Sequence, residues 1–141
     1  MKKYLLDSNI VSEPTKPVPN QSVLEQLDHS RPFCSMCSVS YFEMLHGVLR
    51  LPDGRRKERL MAFLNEVVFP FYDFLPYDMK VAKVHAEMLS RLEKSGKPVP
   101  FQDSIIAAVA IANDLILVTR NTKDFQNIAD ECPLKIENWF V

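Results

Sequence analysis

Five side chains spread along this sequence have the types that metal-assisted hydrolysis uses: Asp7, Glu43, Asp103, Asn121 and Asp124. Carboxylates held together repel one another, and at neutral pH some must take up protons unless a cation relieves the conflict. An all-oxygen donor set suits the hard ions Mg²⁺ and Mn²⁺ and does not suit zinc. Such an ion lowers the pKa of its bound water, orients a phosphodiester and stabilises the charge that builds up during in-line displacement. No nucleophilic side chain offers itself as an obvious alternative.

Each of the five also has an ordinary structural explanation. Asp7 can fix the turn with Ser8 and Asn9. Glu43 stands three residues after Ser40, as in a capping box. Asp103 and Asp124 fall in the first turns of expected helices, where the dipole favours an acid. Asn121 or Thr122 can be an N-cap. What favours chemistry is the place where all five should meet.

That place follows from the elements. The apolar run at residues 4–6 predicts a buried strand ending at Asp7. The three prolines between Pro14 and Pro19 exclude regular helix. A helix is expected from Asn20 to His29 and a strand from Phe33 to Val39, after which Ser40 opens a second helix. Pro52-Asp53-Gly54 breaks the chain, and a further helix is expected from Arg55 to Val68. The rest reads as a strand over 72–75, a helix capped by Asp78 and stopped at Ser95-Gly96-Lys97-Pro98, a small-residue helix over 102–112, and strands over 115–119 and 134–136. Strands alternating with helices over 1–141 predict one α/β domain with a mainly parallel sheet of four to five strands. Ligands of such sheets bind beyond the carboxyl ends of the strands, and all five residues are expected at that edge.

Composition narrows the class. Of the 141 residues 47% are apolar and 25% charged, enough for a core and too ordered a mixture for wholesale disorder. No apolar run approaches the ~20 residues of a membrane span, so no membrane association is expected. The start of the chain reaches Asp7 too early for an export signal, and Cys34, Cys37 and Cys132 are odd in number. Reduced thiols in a cytoplasmic protein are the expectation. A net charge of −1 excludes bulk attraction to nucleic acid, so binding would need a local basic patch.

Four segments together resemble the PIN-domain family, particularly its VapC/FitB-like toxins. They are Leu5-Leu6-Asp7-Ser8-Asn9-Ile10, Val39-Ser40-Tyr41-Phe42-Glu43-Met44 with His46-Gly47 behind, Asp103-Ser104-Ile105-Ile106-Ala107-Ala108, and Val118-Thr119-Arg120-Asn121-Thr122-Lys123-Asp124-Phe125. Glu137-Asn138-Trp139 is similar too. The resemblance implies a three-layer α/β/α fold, Mg²⁺ or Mn²⁺, and endonucleolytic cleavage of RNA. It also implies a homodimer held inactive by a cognate antitoxin. It makes Asp7, Glu43 and Asp103 the metal-binding acids. Many members carry a fourth acid where this chain has Asn121, and Asp124, one helical turn further on, is placed to compensate. The alternative is a catalytically inactive protein of the same fold that acts through its antitoxin interface.

Arg120 ranks first for substrate contact, with Thr122 as a hydrogen-bond donor to a metal ligand or to the attacking water. The basic cluster of Arg50, Arg55, Arg56, Lys57 and Arg59 reads as a solvated helix face with some capacity for phosphate. Cys34-x-x-Cys37 lacks a second pair, and its thiols should face opposite sides of a strand, so neither zinc nor redox work is expected. His46 and His85 are expected at the surface or in an interface. Phe42, Phe63, Phe69, Phe71 and Phe74 read as core or dimer surface. A phosphoacceptor domain would need an Asp where Leu75-Pro76 stands, and a haloacid-dehalogenase-like phosphatase would need one at Asn9.

Overall fold

The computed structural model describes residues 1–140. Five short strands, β1 (Tyr4–Leu6), β2 (Cys34–Cys37), β3 (Asp73–Leu75), β4 (Ile116–Val118) and β5 (Ile136–Glu137), lie in the order β3-β2-β1-β4-β5. Every neighbouring pair is parallel, with Leu5 opposite both Ser35 and Leu117. Parallel neighbours cannot be joined by a hairpin, so each connection crosses over through helix. Both faces of the sheet are covered, as the near-continuous apolar strands require.

The helices α1 (Ser8–Val11), α2 (Gln21–Ser30), α3 (Ser38–Leu49) and α4 (Arg55–Phe63) supply one layer. Their Ile10, Val11, Val23, Leu27 and Val48 pack on Leu6, Met36 and Val118. The helices α5 (Met79–Lys94), α6 (Phe101–Ala112) and α7 (Thr122–Glu131) bring Val81, Met88, Ile106, Phe125 and Ile128 onto Leu5, Cys37 and Leu117 of the opposite face. The result is a three-layer α/β/α fold. The chain runs outward from β1 to β3, then returns to place β4 on the other side of β1. The connections after β1 and β4 therefore part company, and a crevice opens beyond the strand ends between them.

Local sequence explains most element ends. Asn20 and Asp78 each accept a bond from the backbone N–H three residues on, capping α2 and α5. Residues Val81, His85, Met88 and Leu92 form the buried stripe of α5. Gly96, at φ 69°, ends it with paired bonds from Gly96 N to the Glu93 carbonyl and from Lys97 N to the Leu92 carbonyl. Beyond α4 a π-turn, Leu64–Val68, buries Leu64 and Val68.

Three expectations need correction. The strand expected over 33–39 is only Cys34–Cys37, and α3 begins at once at Ser38. Ser40 is thus inside the helix, no side-chain cap bond forms, and Glu43 lies in the second turn. The last strand is Ile136–Glu137, displaced toward the C-terminus because pairing with Leu117 and Val118 sets its register. His85 is buried at 4% exposure, where a surface or interface position was expected. No helix of the described residues is long and apolar enough to cross a membrane.

Candidate active site

Asp7 stands where β1 meets α1. Its backbone N–H donates to the Val118 carbonyl, which continues the β1–β4 ladder by one residue. Its Oδ1 accepts from Ser8 N at 2.8 Å, so the acid caps α1 as well as facing the crevice. Its Oδ2 accepts from Thr119 Oγ1 at 2.9 Å and from Asn9 Nδ2 at 3.3 Å. Burial pushes the carboxyl above its ordinary value, against the lowering effect of those three bonds.

Thr119 and Asn9 are the site residues that sequence reasoning missed. Thr119 is fully buried, and its Oγ1 also accepts from Asn121 N at 3.0 Å. Asn9 Oδ1 accepts from Arg120 N at 3.1 Å. Between them these two side chains lock the loop after β4 to the loop after β1. The available signal was position alone: Thr119 ends the fourth apolar run as Asp7 ends the first.

Glu43 reaches the same pocket from α3. Burial raises its carboxyl first, and the charges of Asp7 and Asp103 raise it further. Its Oε1 is buried without a hydrogen-bond partner, as is Ser40 Oγ. A capping box would have satisfied both groups, so the ordinary explanation for Glu43 falls away. Asp103, in the first turn of α6, is lifted to about 6 by burial, then by the charges of Asp7 and Asp124. No hydrogen bond lowers it. Burial likewise raises the Cys37 thiol below the pocket, with Glu43 and Asp7 adding to the effect.

Asp124 joins through Asn121, whose Nδ2 donates to Asp124 Oδ2 at 2.6 Å. Asn121 makes no side-chain cap bond to α7, so its amide serves the acid and not the helix. Thr122 is the first residue of α7, beside this pair. Arg120, in contrast, turns its guanidinium over the Phe140 ring, 4.4 Å from the centroid. Charge coupling thus links Glu43 to Asp7 and Asp103, and Asp103 to Asp7 and Asp124, with Asn121 bonded to Asp124, while Arg120 has its charge directed to the C-terminal segment.

A buried relay positions the Asp103 turn. Ser104 Oγ donates to the Phe101 carbonyl at 2.6 Å, which commits its one proton. His85 Nε2, 2.9 Å away, must then be the donor to Ser104, leaving Nδ1 to accept from Tyr77 OH at 2.8 Å. Burial lowers the His85 pKa, consistent with this neutral form.

Charge coupling and ligand geometry say different things about a metal. The acids perturb one another, yet among the described residues no group of three or more His, Cys, Asp or Glu side chains is arranged to hold a metal ion directly. The two are compatible for a hard ion such as Mg²⁺, which keeps several waters and needs few direct carboxylate contacts. The orphaned Glu43 oxygen and the raised, unbonded Asp103 fit a hydrated divalent cation. Nearby, a groove of about 420 Å³ opens from Ser8, Asn9 and Glu43 and runs over Met44, Gly47 and Phe63. It borders the acid pocket without containing it.

Residues 4–131 match the model of the PIN domain. The chain is 33% identical over 124 residues to toxin FitB of Neisseria gonorrhoeae, covering 86% of this chain and 89% of that one. It is 30% identical over 139 residues to the tRNA(fMet)-specific endonuclease VapC of Shigella flexneri, covering 99% of each. Its fold superposes on the DNA-bound VapBC complex of Salmonella typhimurium with a TM-score of 0.83 at 26% identity, over 99% of each chain.

Proposed function

Because this chain belongs to the PIN-domain family, we propose that it is a metal-dependent endoribonuclease and the toxin of a toxin–antitoxin pair. The observation that carries the reading is the convergence of Asp7, Glu43, Asp103 and Asp124 from four separate elements, with burial raising the carboxyls of Asp7, Glu43 and Asp103 and neighbouring acids raising those of Glu43 and Asp103 further. A structural cluster would be expected to carry its own cations, and no basic side chain is among the groups that shift Asp7, Glu43 or Asp103.

Asp7, Glu43 and Asp103 would hold Mg²⁺ or Mn²⁺, with Asp124 contributing directly or through water. When bound, such an ion supplies a nucleophilic water at neutral pH and charge stabilisation on the phosphodiester. The protein's own part is positional. Thr119 and Asn9 fix the Asp7 carboxylate, Asn121 fixes Asp124, and the Tyr77–His85–Ser104 relay fixes the turn that bears Asp103. Thr122, the first residue of α7, would donate a hydrogen bond within this group. Protein catalysis of this kind rests on preorganised charge and position, which these bonds supply in advance.

Relatives support the partners: one is a VapBC complex and another is named a toxin. The antitoxin would take the apolar groove that begins at Glu43, where occupancy would also obstruct the acids. Exposed Phe42, Phe69, Phe71 and Met79 favour a homodimer, since large apolar side chains left in water mark association surfaces. Three buried free cysteines accord with action in a reducing cytoplasm. The inactive reading rested on Asn121, but its amide holds the neighbouring Asp124 in place, so the substitution does not remove the fourth acid.

The test is cleavage of end-labelled structured RNA by antitoxin-free protein, with Mg²⁺ or Mn²⁺ and with EDTA. Metal-dependent cutting that is lost in both Asp7→Ala and Asp103→Ala is the expected outcome. Cutting that survives in EDTA, or in either variant, would contradict the site.

A further inference from the structure

We propose that Arg120 and Phe140 together form a phosphate-binding subsite that receives a backbone phosphate of the RNA strand beside the acid pocket. The inference rests on the ribonuclease reading and extends it to Phe140, a residue outside the segments that carry the resemblance. A pocket of four acids repels a polyanion, so strand binding needs a cation fixed close to the acids and not neutralised by them. Arg120 meets both conditions. It lies one residue after Thr119 and one before Asn121, and its backbone N–H is held by Asn9 Oδ1, the side chain that also bonds Asp7. Among the described residues it belongs to no ion pair.

The Phe140 ring determines what remains available. The Arg120 Cζ lies over the ring, 4.4 Å from its centroid, and among the described residues the guanidinium N–H groups have no hydrogen-bond or ion-pair partner. The cation–π contact thus restrains the long side chain without taking up the N–H donors that recognise phosphate. The ring itself is well held. Phe140 N donates to Asn138 Oδ1, and the preceding Trp139 is 5% exposed. Trp139 Nε1 donates to Glu137 Oε1, and its ring packs edge-on to Tyr4 with centroids 5.3 Å apart. The C-terminal segment is in this way anchored to β1 and β5 and presents one aromatic face to the loop after β4.

The bland alternative is that Arg120 only pins the C-terminus. Binding of a labelled RNA hairpin to the full chain separates the two, measured by anisotropy in EDTA and in Mg²⁺ across a salt series. Arg120→Ala is expected to weaken binding about five- to tenfold and to reduce the slope of log K against log salt by roughly 0.7, one phosphate contact to a single strand. KM should rise more than kcat falls. Arg120→Lys, which keeps the charge and loses the fork, should recover the salt slope but only part of the affinity. Phe140→Leu should weaken binding in wild-type background and add little in Arg120→Ala, the non-additivity of a coupled pair. Wild type that binds and cuts RNA while Arg120→Ala matches it in affinity and salt slope overturns the subsite alone. Wild type that neither binds nor cuts RNA overturns the ribonuclease reading and the subsite with it.

Discussion

Replacing Asp103 with Asn is expected to stabilise the metal-free protein while abolishing cleavage. Burial, then the charges of Asp7 and Asp124, hold this carboxyl at about 6 against an ordinary 3.8. In a dry site a displacement of that size corresponds to about 3 kcal/mol. The carboxyl is partly solvated, and screening by water brings the usable figure to about 1 kcal/mol. The folded chain binds this proton more tightly than the unfolded chain does. Stability is therefore greatest below the unfolded value, falls as pH rises through the window from about 4 to about 6, and stays lower above it. Asn has the same shape and no charge to lose. In EDTA near pH 8, Asp103→Asn should melt about 3 °C above wild type, and most of that gap should close by about pH 4.5. Adding Mg²⁺ at pH 8 should raise wild type more than the variant. Thermal and urea denaturation at both pH values read the effect. A variant melting at or below wild type at pH 8, or a gap indifferent to pH, would refute the claim that burial and repulsion set the state of Asp103.

Thr119→Val removes the hydroxyl that donates to Asp7 and accepts from Asn121 N. Cleavage should fall about tenfold, in the range found for partners that orient ligands, and the acid limb of the pH–rate profile should move upward; an unchanged profile would leave Thr119 a packing residue. His85→Ala should cost about 2 kcal/mol near pH 7.5 through two lost hydrogen bonds and a cavity. Because burial lowers the His85 pKa, its contribution is present above the unfolded value near 6.5 and is lost as pH falls, so the difference from wild type should shrink by pH 5.5. Urea titrations at the two pH values check this, and a constant difference would contradict a neutral, buried imidazole.

Much of the molecule was legible in the sequence because much of it is local. Asp78 with Val81, and Ser95-Gly96-Lys97 behind Leu92, state the start and stop of α5 within a few residues of each end. Apolar runs ending at Asp7 and Thr119 mark β1 and β4, and alternation with helices implies parallel crossovers that send those ends to one edge. That reasoning was enough to expect five distant residues at one edge, and the four segments that carry the family resemblance run from β1 into α1, within α3, within α6 and from β4 into α7. Where a local motif competed with the tertiary fold, the local motif lost. Ser40 and Glu43 have capping-box spacing, but the helix starts at Ser38 as soon as β2 ends, and both side chains are left without that role.

Only the tertiary structure decided the contacts that orient the site. Thr119 meets Asp7 across 112 positions, Asn9 meets the Arg120 backbone across 111, and Arg120 lies on Phe140. The burial of His85 depends on α6 packing against α5, and the orientation of Asp124 depends on the Asn121 amide bonding to it and not capping α7. Residue types and short spacings encode helices, strands and the presence of acids, because those preferences act over a turn or a strand. Which lone pair meets which donor depends on how the parallel strands are placed side by side, and the order β3-β2-β1-β4-β5 exists only once the whole chain has folded.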